Sequence, residues 1–310
     1  MSAASERGVA LLLVVVLTAA VVMLVATAQF RAALDLRRTT NLVFHDQALA
    51  YQLGAEDWAC HLLRRDAEED TVDDLREGWN LKGIALEIEG GTLNGEIEDL
   101  QGRFNLNNLI KDDGTVDEPS VAQLRRLLDA AGVADADRIA AEIVDWLDAD
   151  QEPRGGLGAE DSTYLSLEPG YRTADARVAW VGELRAVAGI DARTYALIAP
   201  HLAALPRRTA INVNTATVLV LQSLADGARS DPLDAVLARQ RDAPFGSVPE
   251  FTQAYGHPPA EGILLAVASD HFALRTAVTI EGTTSTLYSV LARASSGATR
   301  PLRRSSDLTP

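Results

Sequence analysis

The sequence of 310 residues contains a single cysteine, Cys60, which excludes an internal disulfide without deciding the cellular compartment. Aromatic residues are few, and cationic residues are outnumbered, with 28 Lys and Arg against 44 Asp and Glu. The five histidines are scattered without the short, regular spacing of a zinc motif. These shortages exclude a disulfide scaffold and leave no His- or Cys-based metal site that the sequence can identify.

The acidic excess is concentrated in one part of the chain. The formal net charge is −16, and residues 112–161 hold fourteen Asp and Glu against four Arg, for a net charge of −10. Such a surface repels phosphate backbones and attracts cations. We therefore do not expect the chain to bind nucleic acid.

The most specific motif is an acidic, glycine-rich loop that follows a predicted helix ending near Leu147. Alternate residues after that helix are acidic, as in the first half of a calcium loop, and glycines at 155, 156 and 158 let the chain turn back. Clustered carboxylates repel one another unless a cation or solvent separates them. Oxygen ligands without His or Cys favour calcium over zinc or copper. The predicted calcium ligands are Asp145, Asp148, Asp150, Glu152, Glu160 and Asp161.

Two other interpretations of this loop stay open on the sequence. It can be a solvated acidic loop without a ligand, or a catalytic carboxylate pair. The nearby Ser162 and Ser166 lack the G-x-S-x-G context of a hydrolase nucleophile, and no His or Lys motif accompanies the carboxylates. A signal-anchored periplasmic hydrolase that uses the acidic cluster is the alternative function.

The amino-terminal segment is long and apolar. No charged residue occurs from Gly8 to Ala28, a length that matches the hydrocarbon core of a bilayer. A signal peptidase could cut after Ala28 and release a soluble protein. A peptidase that cuts between Gly8 and Val9 would instead leave the apolar helix in place. Because the helical pattern continues without a break to about Arg65, we favour the second cut and a single membrane span.

The remaining chain predicts a sheet that is interrupted by helices. Alternating apolar and polar residues around Gly90 and Gly91 predict a β-hairpin, and similar alternation returns at 272–280 and 285–293. Helical patterns fill the space between, including 121–131 and 137–147. These helices resemble helix-hairpin-helix modules, whose turns can hold a DNA phosphate, but the acidic charge disfavours that role. We favour a helical packing unit of sterile-alpha-motif-like shape.

The short leader that ends at Gly8 resembles the processing signal of type IV pilins and pseudopilins. In those proteins the new amino terminus is methylated, which here would be Val9. The fifth mature residue is usually a glutamate that pairs with the amino terminus of the preceding subunit, but Leu13 stands at that position. Because an unpaired carboxylate in lipid is costly, a subunit without a predecessor does better without it. This absence points to the tip of a filament.

Several further motifs, in their order and spacing, make the chain similar to the type II secretion system protein K (GspK) family. They are Asp99–Leu109, Asp145–Asp150, Gly158–Asp161, Tyr171-Arg172, Glu183–Arg185 and Ile211–Ala216. The resemblance implies an α+β fold in which a pilin-like long helix and antiparallel sheet are interrupted by a large inserted all-α domain. It also implies calcium binding in the acidic loop region and no enzymatic activity.

The resemblance further implies a minor pseudopilin that caps the pseudopilus tip and primes its assembly for export of folded proteins across the outer membrane. Its expected partners are the I and J minor pseudopilins, the major pseudopilin and the inner-membrane assembly platform, with a secreted substrate or the secretin as further contacts. The expected location is the bacterial inner membrane, with a single span and a periplasmic carboxyl-terminal domain. The predicted segments are a leader 1–8, a helix 9–65, a sheet domain 66–117 plus 271–294, an inserted helical domain 118–270 and a disordered tail 295–310.

Overall fold

The computed structural model describes residues 3–80, 82–227 and 230–306, so Met1 and Ser2 of the predicted leader lie outside the described residues. Helix α1 (Ala3–Glu69) has 67 residues, or about 100 Å at 1.5 Å per residue. Its apolar residues from Val9 to Val25 are exposed, and among the described residues it is the one helix long and apolar enough to cross a membrane. The predicted single span and pilin-like helix both lie within α1.

A five-stranded antiparallel sheet follows α1 and takes its strands from both ends of the chain. The strands are β1 Ile84–Ile88, β2 Gly91–Asp99, β7 His271–Ile280, β8 Thr283–Arg293 and β9 Thr299–Ser305. Their order in the sheet is β1-β2-β7-β8-β9. The register of β2 against β7 runs from the pair Gly91 and Ile280 to the pair Asp99 and Phe272. The predicted hairpins at both ends of the chain are thus neighbours in one sheet.

The carboxyl-terminal half of α1 packs on one face of this sheet. Alternate side chains of each strand point to the same face, and those of β2, β7 and β8 form a core with the helix and Trp79. Its fully or nearly buried members are Ala59, Leu63, Trp79, Ile97, Phe272, Leu274 and Leu291. Burial of this face holds the membrane-length helix to the rest of the molecule.

The inserted domain is mainly helical and has the largest core of the molecule. Its helices are α2 Glu118–Ala130, α3 Ala136–Leu147, α4 Asp161–Tyr164, α5 Ala192–Ile198, α6 Val218–Ser223, α7 Ser230–Asp242 and α8 Val248–Tyr255. Its short strands pair in parallel, β3 (Phe104–Asn105) with β4 (Leu202–Ala203) and β5 (Ile211–Asn212) with β6 (Leu265–Ala266). Residues 104–110 pack in this helical core rather than on the sheet, so the helical unit begins earlier than position 118.

A buried polar network joins the sheet to the inserted domain. Asp99, at the end of β2, accepts hydrogen bonds from Asn212 (3.0 Å), Thr215 (2.5 Å) and Ser269 (2.6 Å). A Cβ on Gly102 would lie 2.4 Å from the carbonyl oxygen of Thr215, so glycine allows the two segments to approach. Two motifs that are far apart in the sequence, 99–109 and 211–216, therefore meet at this junction.

The prediction of a disordered tail is wrong for Thr299–Ser305, which form the edge strand β9 paired with β8. The polar composition of this segment is typical of a solvated tail, but two of its three arginines have partners in the fold. Arg304 pairs with the buried Glu56 of α1 at 2.7 Å, and Arg303 donates to the carbonyl oxygens of Ala179 and Ala204. The sheet domain therefore extends beyond position 294, and the last four predicted tail residues lie outside the described residues.

Candidate metal site

The acidic loop begins where α3 ends. Trp146, in the last turn of α3, packs edge-on against Tyr164 with ring centroids 5.3 Å apart, and against Tyr171 at 6.3 Å. These contacts hold the segment after the loop against the end of the helix. Asp148 follows Leu147 in an extended conformation, which turns the chain away from the helix axis. The aromatic cluster thus brings carboxylates from both sides of the loop to the same place.

Three of the six predicted ligands meet at this place. Carboxylate oxygens of Asp148, Asp150 and Glu160 lie within 4.8 Å of one another. Asp148 is 8% exposed and Glu160 is 1% exposed, whereas Asp150 is open to solvent. The cluster therefore has two buried carboxylates and one that faces the outside, as expected for a site that an ion enters from the surface.

The buried carboxylates of this cluster lack hydrogen-bond donors. Oδ1 of Asp148 and both carboxylate oxygens of Glu160 are buried without a partner among the described residues. An unsatisfied buried acceptor costs free energy, and an uncompensated buried charge costs more. A hard cation would satisfy all three oxygens at once, so the residues present fit calcium.

The electrostatics of the cluster point the same way. Burial, followed by repulsion from Asp150 and Asp145, raises the pKa of Asp148 to about 6. Burial, followed by repulsion from Asp145, Asp148 and Asp150, raises the pKa of Glu160 to about 8. Each carboxylate is thus harder to ionise because its neighbours are also acidic, which is the field that a divalent cation would neutralise.

Asp145 lies beside the cluster in a supporting position. It is fully buried, and its carboxylate accepts the backbone N–H of Arg154 at 3.1 Å (Oδ2) and 3.3 Å (Oδ1). Burial raises the pKa of Asp145, and the Arg154 N–H opposes that rise. Asp145 therefore holds the return of the loop and adds negative charge next to the three clustered carboxylates.

Asp161 and Glu152 are not brought into the cluster. Asp161 accepts hydrogen bonds from Arg172 at 3.0 Å and from the N–H and hydroxyl of Thr173 at 3.1 and 3.0 Å. Glu152 is exposed, and its backbone N–H donates to Asp150 at 2.9 Å. Asp161 therefore connects the loop to the segment around Thr173. Glu152 helps to shape the loop through its backbone N–H, and its carboxylate is not part of the cluster.

Asp175 also lies near the cluster and is absent from the predicted ligands. This residue has a left-handed backbone conformation, with φ of 44°, and accepts from Gln151 at 3.3 Å. Its charge is among the causes that raise the pKa of Asp148 and of Glu160, so it lies on the same side of the loop. Asp175 is separated from Asp161 by thirteen residues without a spacing pattern, and no local signal could have placed it here.

A second acidic cluster, which was not predicted from the sequence, lies below the end of α1. Carboxylate oxygens of Asp66, Asp73 and Glu77 come within 4.8 Å of one another. Here the buried Arg293 supplies the positive charge, since its guanidinium contacts Asp73 at 2.5 Å and Asp66 at 3.0 Å. Burial is the first cause that raises the pKa of Asp66 to about 6 and of Glu77 to about 8. This cluster is a structural ion-pair network.

Comparisons with known proteins all identify the same family. Models described as type II secretion system (T2SS), protein K match residues 102–207 and 211–275. The type II secretion system protein K of Pseudomonas aeruginosa is 34% identical, with 96% of this chain and 92% of that protein covered. The Aeromonas hydrophila protein of the same name is 31% identical, with 96% of each covered.

A solved structure is also similar over most of the chain. It is a chain in the crystal structure of the GspK-GspI-GspJ complex from the enterotoxigenic Escherichia coli type 2 secretion system. The TM-score is 0.76 at 27% identity, and the match covers 88% of this chain and all of that one. The fold is thus shared with that protein over most of this chain.

Proposed function

Because the chain belongs to the type II secretion system protein K family of minor pseudopilins, we propose that it caps the tip of a pseudopilus. In this role it primes pseudopilus assembly for the export of folded proteins across the outer membrane. The observation that carries the tip position is Leu13, an apolar residue at the fifth position after the proposed cut at Gly8. A subunit with no predecessor has no amino terminus to pair with a buried carboxylate, and an unpaired charge in lipid is costly.

The proposed partners are the I- and J-type minor pseudopilins, with the major pseudopilin below them and the assembly platform in the inner membrane. The similar Escherichia coli protein was solved in a complex with GspI and GspJ, which supports this choice. The exposed apolar residues of α1 fit a single-pass anchor. We place the span in the inner membrane and the carboxyl-terminal domain in the periplasm.

Calcium is the proposed ligand of the acidic loop. Asp148, Asp150 and Glu160 would hold it, with Asp145 and Asp175 adding negative charge nearby. The bound ion would neutralise the loop and hold its two ends together. The unpartnered buried oxygens of Asp148 and Glu160 support this role.

We propose a structural role rather than catalysis for this loop. A hydrolase would need carboxylates that reach a substrate, whereas Asp148 and Glu160 are almost fully buried. On this proposal, replacing Asp148 changes the stability and assembly of the protein and causes no loss of catalytic turnover.

Two measurements test the proposed function. Intact mass and amino-terminal sequencing of the protein from its own membranes should give a chain that starts at methylated Val9. A chain that starts at Gln29 would contradict the membrane-anchored pseudopilin.

Secretion should then be compared in cells that carry Leu13→Glu or the uncharged control Leu13→Gln as the sole copy. A tip subunit should lose more secretion with Glu than with Gln, and equal secretion would contradict the tip argument.

A further inference from the structure

The two edges of the five-stranded sheet are protected to different degrees. Strand β9 contains Pro301 and three arginines, and its register against β8 shifts at Val290/Leu291. Proline, positive charge and irregular register all oppose pairing with another chain. Strand β1 contains neither proline nor a basic residue, and within the described residues it pairs only with β2. The β1 edge is therefore the one open to another strand.

The free hydrogen-bonding groups on this edge follow from the register. The carbonyl oxygen of Gly90 accepts the N–H of Glu281 at 3.2 Å, and hydrogen bonds alternate along an antiparallel pair. Even-numbered residues of β2 therefore bond to β7, and odd-numbered residues bond to β1 at positions 84, 86 and 88. The N–H and C=O groups of Ala85 and Glu87 consequently point away from the sheet. They form a short row of donors and acceptors for an added strand.

An apolar groove of about 520 Å³ runs beside this edge, between α1 and the α1-facing side of β1 and β2. Trp58 of α1 and Leu86 of β1 form its two lips, and each is 53% exposed. Gly54 and Gly95 lie on opposite walls, and a Cβ on either would meet no atom within 4 Å. The groove is therefore open and can accept large apolar side chains. A strand beside β1 would direct every second side chain into it.

The opposite face of the same edge carries an exposed carboxylate, that of Glu87 on β1, whose neighbour on β2 is Thr92. Glu96 and Glu98 lie on this face beyond the end of β1, where Arg275 is the register partner of Glu96 and Arg103 pairs with Glu98. A strand added here places its intervening side chains beside Glu87, and opposite charges across neighbouring strands are favourable. A second copy of β1 would bring like charges together, which disfavours self-pairing.

We propose that the β1 edge and the adjacent groove bind an extended segment of another polypeptide as a sixth strand of the sheet. The segment carries apolar residues at every second position, which enter the groove between Trp58 and Leu86. A basic residue at an intervening position faces Glu87 on the opposite side of the sheet. Backbone hydrogen bonds to Ala85 and Glu87 supply the pairing, and the alternation of side chains supplies the selectivity. This interaction goes beyond the proposed capping of the pseudopilus.

The test uses the full chain in phosphatidylcholine nanodiscs and a fluorescent probe peptide, Lys-Val-Lys-Leu-Lys-Val-Lys. The control peptide, Lys-Lys-Val-Leu-Val-Lys-Lys, has the same composition without the alternation. We expect anisotropy to detect binding of the probe and at least about tenfold weaker binding of the control. Equal binding of both peptides would reduce the interaction to charge alone and overturn the proposal.

Two variants of the protein separate strand pairing from charge. Glu87→Pro removes an outward N–H and should weaken probe binding at least about tenfold, while Glu87→Ala keeps that N–H and should weaken it less. Gly54→Leu fills the groove from the helix wall and should also prevent binding. Wild-type affinity in both Glu87→Pro and Gly54→Leu, or equal losses in Glu87→Pro and Glu87→Ala, would overturn the proposal.

Hydrogen exchange on the wild-type chain keeps the test valid if a variant fails to fold. The bound probe should slow exchange of the Ala85 and Glu87 amides, and unchanged exchange of both would overturn strand addition. The molar mass of the protein without the probe peptide shows whether a second copy of the chain occupies the β1 edge. A monomer agrees with a foreign strand, whereas a dimer that Glu87→Pro abolishes would make a second copy the occupant instead.

Discussion

Gly158 lies directly against the carboxylate of Asp145: a Cβ on residue 158 would be 1.8 Å from Oδ2 of Asp145 and 2.8 Å from the backbone nitrogen of Arg154. The same carboxylate accepts the N–H of Arg154. The return of the acidic loop toward α3 thus depends on the absence of a side chain at position 158. This relationship connects the glycine pattern of the loop with the position of its carboxylates.

The first prediction concerns this contact. Gly158→Ala should destabilise the protein by about 1–3 kcal/mol, because the new methyl group forces the Asp145 carboxylate or the loop to move. It should also weaken calcium binding, since the loop carries the clustered carboxylates. Denaturant unfolding and calcium titration measure the two effects. Gly78→Ala is the matched control, because a Cβ at residue 78 meets no atom within 4 Å.

The second prediction separates metal ligands from loop-holding residues. We expect calcium to raise the melting temperature of the wild-type protein, and Asp148→Asn and Asp150→Asn should abolish this rise, because each removes a carboxylate from the cluster. For comparison, a ligand at 100 times its Kd stabilises a protein by about 2.7 kcal/mol. Asp161→Asn should keep the calcium response, since Asp161 binds Arg172 and Thr173.

The outcome for these variants discriminates between the assignments. A calcium response that persists in Asp148→Asn would contradict the site. A response lost only in Asp161→Asn would restore the ligand role that the sequence spacing predicted for that residue.

The third prediction concerns pH and the network below α1. The pKa of Glu77 is raised to about 8 in the folded protein, so the folded state holds a proton that the unfolded state releases. The free energy of unfolding contributed by Glu77 should therefore be highest below the ordinary carboxyl range and fall as pH rises toward 8. Glu77→Gln should flatten this dependence, because it keeps an oxygen acceptor without titrating.

Unfolding by denaturant between pH 5 and pH 8 checks this slope. Glu68→Gln serves as the control for the loss of an exposed carboxyl group, since Glu68 is exposed near the end of α1. The same slope in the wild type and in Glu77→Gln would show that Glu77 does not titrate in this window.

The fourth prediction concerns the connection between α1 and the sheet. Arg293→Met should cost about 3–5 kcal/mol, because it leaves the buried Asp73 and the half-buried Asp66 without their cation. Thermal unfolding of the variant measures the loss. Arg300→Met on β9 is the comparison, and its exposed side chain should change stability by less than about 0.5 kcal/mol. Equal effects of the two substitutions would refute the role of Arg293.

Most of the fold could be predicted because its signals are local. The uninterrupted apolar run of α1, the alternation in β1, β2, β7 and β8, and the helical pattern between them each follow from neighbouring residues. Strand β9 could not be predicted in this way. Its arginines resemble those of a solvated tail until Glu56 of α1 and the carbonyl oxygens of the inserted domain are placed beside them.

The candidate metal site was predictable in part for the same reason. Asp148 and Asp150 lie close together in the sequence, and the glycines between them and Glu160 indicated that the chain turns back. Asp161 shares this local pattern, but Arg172 and Thr173 hold its carboxylate elsewhere. No local rule brings Asp175 to the same loop, because its position depends on the path of the chain after α4.

Hydrophobic patterning and turn residues act over a few positions, so the membrane-length helix, the interrupted sheet and the acidic loop follow from the amino-acid sequence alone. Which carboxylates meet, and which acquire a cationic partner, depends on the packing of the folded chain. Packing also decided that one edge of the sheet stays open while the other is protected. Electrostatic energies depend on burial and on distances between groups far apart in the chain, and these quantities exist only once the chain has folded.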